Sequence, residues 1–194
     1  MQLRLKYSRR IPLNTTHFFQ STWFQTPNFA AMTEALHIPT NSSREEKYRA
    51  LTPQLRALLS GETDATANAA NFTALVHQAF CFHWVGFYWV RGEELVLGPF
   101  QGPIACTRIP KGKGVCGSAW LQNATLIVPD VEQFPGHIAC SALSKSEIVL
   151  PMRKKSGEVI GVLDIDSATL NDFNEIDRDF LESWLELLVE ACYE

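Results

Sequence analysis

The chain has 194 residues, of which 46% are hydrophobic and 20% charged, with a formal net charge of −4. That is enough for one globular domain with a sizeable core. It offers no broad basic surface to attract nucleic acid, and no stretch approaches the roughly 20 apolar residues that span a bilayer.

Residues 1–33 contain no Asp or Glu, carry Arg4, Lys6, Arg9 and Arg10, and are rich in Ser, Thr and Asn. Transit peptides share that composition. The plainer expectation is a poorly ordered tail, or a true initiator at Met32. "PTNSS" (39–43) reads as a linker, which divides the chain into an N-terminal extension, 1–43, and a folded unit, 44–194.

"TPQLRALLSG" (52–61) has helix punctuation, with Thr52 as cap, Pro53 in the first helical position and Gly61 at the far end; "SREEKYRAL" adds at most a turn before it. In 64–80, Ala69, Phe72, Leu75, Val76, Ala79 and Phe80 recur at helical spacing. The period then changes to two. "HWVGFYWV" (83–90) and "EELVLGPF" (93–100) flank Arg91-Gly92 as a hairpin, and "IACTRIP" (104–110) reads as a third strand. "GKGVCGSAWLQNA" (112–124) predicts a glycine-rich entry into a short helix, and "TLIVPD" (125–130) an edge strand. "EIVLPMRK" (147–154) and "VIGVLDIDS" (159–167) form a hairpin around Ser156-Gly157. A last helix starts at Asn174 with Asp177 completing a capping box, and Ile176, Phe180, Trp184, Leu187, Leu188 and Ala191 form its buried stripe. The pattern predicts an α+β fold, with a mostly antiparallel sheet of about six strands. Terminal helices cover one face, and the loops of 101–146 make a pocket on the other.

The five cysteines are Cys81, Cys106, Cys116, Cys140 and Cys192. An odd number without a secretory segment points to a reducing, intracellular compartment, and without a C-x-x-C pair nothing suggests structural zinc. Cys106, Cys116 and Cys140 share one loop region as C-x9-C-x23-C. An isolated cysteine is more often a small apolar filler. Three together read equally well as a thiol redox set, in which one is oxidised and another condenses with it to a disulfide. Cys116, where glycines enter a helix, is expected to have a lowered thiol pKa.

Asp164 and Asp166 stand two apart on a strand, so both face one side while Leu163 and Ile165 face the other. Paired carboxylates repel, and one is expected to hold a proton near neutral pH, ready to bind an ammonium group or protonate a leaving oxygen. Glu147 begins a strand beside the Cys140 loop. Trp84 and Tyr88 share a face, as core or as the wall of a small apolar pocket. His137 reads as a loop-structuring residue. "GKGVCG" lacks the phosphate-loop pattern.

"HWVGFYWV", "LVLGPFQG", "IACTRIPKGKGVCGSA", "IVPDVEQFPGHIAC", "SEIVLP" and "GVLDIDS", in that order over about residues 46–192, resemble the free methionine-(R)-sulfoxide reductases, which are single GAF-domain enzymes. The resemblance implies a six-stranded antiparallel sheet with terminal helices and reduction of free L-methionine-R-sulfoxide. It implies Cys140 as the catalytic cysteine, Cys106 and Cys116 as resolving positions, and Trp84, Tyr88, Glu147, Asp164 and Asp166 around the substrate. It further implies recycling by thioredoxin or a related dithiol, with no metal or organic cofactor. Ser141 follows Cys140 where relatives often carry an acidic residue. The expected location is the cytoplasm, or an organelle should residues 1–33 act as a transit peptide; a homodimer is left open. The rival reading is a non-enzymatic GAF sensor of a small molecule or of oxidants.

Overall fold

The computed structural model describes residues 36–138 and 141–194, and two helices lead the fold. Helix α1 (Arg44–Leu59) starts at Ser43, whose hydroxyl accepts from the Glu46 N–H while the Glu46 carboxylate accepts from the Ser43 N–H. This corrects the expectation of a helix beginning at Thr52 and Pro53, since Pro53 lies inside α1. An interior proline forfeits one backbone hydrogen bond and costs about 3 kcal/mol. Burial of Tyr48, Leu51, Leu55 and Leu59 outweighs that cost. Thr52 does not cap: its hydroxyl donates to Tyr48 O (2.8 Å) and accepts from Trp184 Nε1 (2.9 Å). Before α1, Leu36 and Ile38 pack against the core; the basic segment read as a tail or transit peptide lies outside the described residues.

Helix α2 (Ala65–Phe80) is capped by Asp64, whose carboxylate accepts from the Thr66 and Ala67 N–H groups. Its expected apolar stripe is buried or packed on the core. The sheet follows as β1 (Trp84–Arg91), β2 (Glu94–Gln101), β3 (Arg108–Pro110), β4 (Leu126–Val128), β5 (Ser146–Arg153) and β6 (Val159–Ser167). The spatial order is β3-β2-β1-β6-β5-β4, and every described pairing is antiparallel. The third strand is shorter than expected. Gly102 at φ 129° and Pro103 turn the chain off the sheet, so only Arg108–Pro110 pairs and Ile104 is 90% exposed. Helix α3 (Gly114–Gln122) lies between β3 and β4, and β4 is the edge strand the sequence predicted.

Helix α4 (Glu175–Tyr193) begins with the expected Asn174–Asp177 capping box. Its buried stripe is centred one residue later than expected. Leu181, Leu185 and Val189 join Trp184 and Leu188 inside, while Ile176 is exposed. The cause is Asp177, which turns inward to meet Tyr48 and Arg44.

One sheet thus separates two cores. Val85, Phe87, Ile148, Leu150, Leu163 and Ile165 pack under α1, α2 and α4. Trp84, Tyr88, Val149 and Val162 pack on the opposite face with Cys116 and Trp120 of α3. The expectation that terminal helices cover one face and the 101–146 region the other holds.

Candidate active site

Strand register builds the site. Asp166 of β6 pairs with Trp84 of β1 on one side and Glu147 of β5 on the other. One step along, Asp164 pairs with Gly86 and with Val149. The alternation of side chains therefore sets Trp84, Asp164, Asp166 and Glu147 on one face. Gly86 matters because it has no side chain. A Cβ there would meet Trp84 Cη2 at 2.1 Å, so glycine lets the indole lie flat along its own strand. The indole stacks on Phe100 (5.5 Å) and Tyr88 (5.9 Å) and donates through Nε1 to Pro103 O (3.1 Å). Tyr88 donates its hydroxyl to Cys106 O (3.0 Å). Both aromatics are buried on the cleft side, and Phe87 and Trp89 take the helical side, as expected.

The loops close the other walls. Trp84, Tyr88, Cys116, Glu147, Asp164 and Asp166 line a single cleft with the 103–105 segment, His137, Ser141 and Ser144. It holds about 540 Å³ of space outside atoms, open solvent at its mouth included. Glycines aim α3 at it. A Cβ on Gly117 would meet Pro110 O at 2.5 Å, so only glycine lets this helix approach β3 closely enough to bring Cys116 over the sheet.

Cys116 Sγ lies 3.9 Å from Glu147 Oε1. Burial pushes the Cys116 thiol up, reinforced by the charges of Asp164 and Glu147. The expectation of a lowered thiol pKa is therefore corrected: desolvation and two carboxylates outweigh the helix N-terminus. Burial also holds the Glu147 and Asp164 carboxyls well above the usual range, each raised further by its acidic neighbours. The Asp166 carboxyl is pushed up to about 6 by burial, opposed by a hydrogen bond from Ser144. The expectation that the paired carboxylates retain a proton near neutrality holds in direction. Among the described residues no Lys or Arg lines the cleft, so it is a proton-holding acidic pocket suited to a cation and able to donate a proton to a leaving oxygen.

Cys106 is disulfide-bonded, whereas Cys81, Cys116 and Cys192 are free thiols. Cys140 lies outside the described residues. Its neighbour Ser141 shares a hydrogen bond of 3.0 Å with His83 Nε2 and accepts from the Leu143 N–H. Sequence reasoning underrated His137, whose Nε2 stands 4.0 Å from Glu147 Oε2. It also passed over His83 and Ser144. Nothing in their local sequence sets them apart; His137 and Ser144 reach the cleft from the loop that precedes β5, and His83 precedes β1.

A model of the GAF domain family matches residues 71–191. The chain is similar to GAF domain-containing protein A of Dictyostelium discoideum, with 62% identity over 158 residues covering 81% of this chain and 99% of that one. It is similar to a free methionine-R-sulfoxide reductase of Escherichia coli, with 47% identity over 140 residues, 72% of this chain and 84% of the relative. Among solved structures, the free methionine-R-sulfoxide reductase from Neisseria meningitidis in complex with its substrate matches at 48% identity and a TM-score of 0.78, covering 81% of this chain and 94% of that one.

Proposed function

The chain belongs to the GAF-domain family and, within it, to the free methionine-R-sulfoxide reductases; from that premise we propose that it reduces free L-methionine-R-sulfoxide to L-methionine through Cys140. The observation that carries this reading is the convergence of Glu147, Asp164, Asp166 and Trp84 in one cleft, with no facing Lys or Arg among the described residues. The substrate supplies what the cleft lacks. Its ammonium meets the carboxylates, and its methyl group and thioether chain meet the Trp84 and Tyr88 rings. A peptide-bound methionine has no such ammonium, which explains a preference for the free amino acid.

The Cys140 thiolate attacks the sulfoxide sulfur while a protonated carboxyl of the acidic cluster donates to its oxygen. The S–O bond breaks as its oxygen passes, as hydroxyl, to Cys140 sulfur; the new S–S bond breaks, methionine leaves with its sulfur reduced, and Cys140 is left oxidised as a sulfenic acid. A second thiol condenses with it, releasing water and forming a disulfide, which thioredoxin or a related dithiol reduces. Cys106 best fills the resolving role. It is disulfide-bonded, so its thiol engages in disulfide chemistry, whereas Cys116 is a free thiol. Cys116 is buried and its raised pKa makes it a slow attacking thiol. This dependence on thiols agrees with a reducing compartment, the cytoplasm.

The test is methionine release from separated R and S epimers of the free sulfoxide, with dithiothreitol as reductant. Release from R alone is expected, and none with Cys140→Ser. No release from folded, reduced protein overturns the reductase reading in favour of a ligand sensor. With thioredoxin as the reductant, Cys106→Ser is expected to stop multiple turnover while Cys116→Ser sustains it; the reverse outcome moves the resolving role to Cys116.

A further inference from the structure

Cys116, Glu147 and Asp164 bring a thiol and two carboxylates so close that one ligand atom from each lies within 4.8 Å of the others. All three are buried, on α3, β5 and β6. Asp164 is only 7% exposed, and its Oδ1 is buried with no hydrogen-bond partner among the described residues. A buried acceptor without a partner calls for a proton or a cation beside it. A fourth donor faces the group: the His137 side chain is 17% exposed, with Nε2 4.0 Å from Glu147 Oε2. Burial lowers the His137 pKa, which favours the neutral imidazole that binds metals.

We propose that this pocket binds a thiophilic divalent cation of the Zn2+ class, held by Cys116 Sγ, Glu147, Asp164 and His137 Nε2. Sulfur, imidazole nitrogen and carboxylate oxygen are the donors zinc takes in a four-coordinate shell. With bonds of about 2.3 Å to sulfur and about 2.0–2.2 Å to oxygen and nitrogen, Cys116, Glu147 and Asp164 need draw together by about 1 Å, and His137 closes in from the side of Glu147. Uptake exchanges the thiol proton of Cys116 and the protons held by the carboxyls for the metal; nothing is oxidised or reduced. The absence of C-x-x-C argued against zinc, but that criterion reads ligands close in sequence. Here they come from three elements and a loop. An occupied site engages Glu147 and Asp164, so it competes with any ammonium and shuts the pocket.

The experiment titrates Co2+ into the full chain, reduced with a phosphine and freed of reductant under argon. One equivalent is expected to bind, with proton release and a thiolate-to-cobalt charge-transfer band in the near ultraviolet, and Zn2+ displaces it. Cys116→Ser removes the band, and Cys140→Ser keeps it. Glu147→Gln, Asp164→Asn and His137→Asn each weaken uptake by at least about tenfold, the scale at which even outer-shell partners count. Circular dichroism checks each fold, and if Cys116→Ser fails to fold, Asp164→Asn carries the test. A band that survives Cys116→Ser, or binding unchanged in Asp164→Asn, or no band at millimolar Co2+, overturns the site. The readout is the metal itself without substrate, so this proposal and the reductase reading fail separately.

Discussion

Asp166 is where the acidic row meets water, and its titration shows in stability. Its carboxyl is displaced from 3.8 to about 6 in the fold. The folded state therefore binds the proton more tightly than the unfolded chain does. The stabilisation is complete below roughly pH 4 and is lost as pH rises through about 6. Glu147 and Asp164 are raised in the same direction and extend the decline upward. Chemical denaturation at a series of pH values should show unfolding free energy falling over this window, and Asp166→Asn should flatten the fall by about 1–2 kcal/mol, allowing for its partial exposure. An unchanged slope places the carboxyl in ordinary solvent. A second residue, Ser141, stands next to the proposed nucleophile Cys140. Ser141 ties the Cys140 segment to His83 at 3.0 Å. Ser141→Ala is expected to lower kcat/KM by about tenfold, through a misplaced nucleophile, with little change in stability. Ser141→Thr keeps the hydroxyl and should restore the rate; a rate unaffected by Ser141→Ala leaves the link with no positioning role.

Among the elements, β1 shows how backbone chemistry sets a pocket wall. A methyl at position 86 would meet Trp84 Cη2 at 2.1 Å and Phe100 Cβ at 2.6 Å. The indole can swing away, but Phe100 Cβ is fixed to the backbone of β2. Gly86→Ala should cost about 1–3 kcal/mol and displace the ring. We expect a lower Tm by thermal melting together with a raised KM; an unaltered KM would detach Trp84 from substrate binding. The strands and α2 were legible in the sequence because alternation and helical periodicity report burial directly. Three boundaries were not. Pro53 reads as a helix start, yet the capping box of Ser43 and Glu46 opens the helix well upstream and burial of Tyr48 and Leu51 carries it through. "IACTRIP" alternates like a strand, yet Gly102 and Pro103 spend its first half on the cleft wall. The stripe of α4 turns by one residue for Asp177, a charge whose partners sit more than a hundred residues away.

For the molecule as a whole, Asp177 is the tie between the two ends of the domain. Fully buried, it accepts from Tyr48 OH (2.9 Å), from Arg44 (3.2 Å) and from the Asn174 N–H (3.0 Å). Removing one partner of a buried charge strands the other, so Asp177→Ala should cost about 3–5 kcal/mol by denaturant titration. The hub lies across the sheet from the cleft, so kcat/KM of the protein that remains folded should hold; a matching loss of activity would show that the two faces are coupled. The division into a helical face and a cleft face was legible in Leu163-Asp164-Ile165-Asp166 alone. Which cysteine stays free, and that His137 approaches Glu147, was not, because those facts depend on how α3 and the loops fold back over the sheet.

That alternation on β6 also acts as a proofreading device. A slip of one residue would send Asp164 and Asp166 into the apolar core and turn Leu163 and Ile165 toward the cleft. No stable misregistered chain with a merely faulty site is available. An error in building the acidic row breaks the core in the same stroke and exposes greasy surface to chaperones and proteases. Copies that survive such triage are therefore those whose chemistry is correctly assembled, and a census of folded molecules doubles as a census of competent ones.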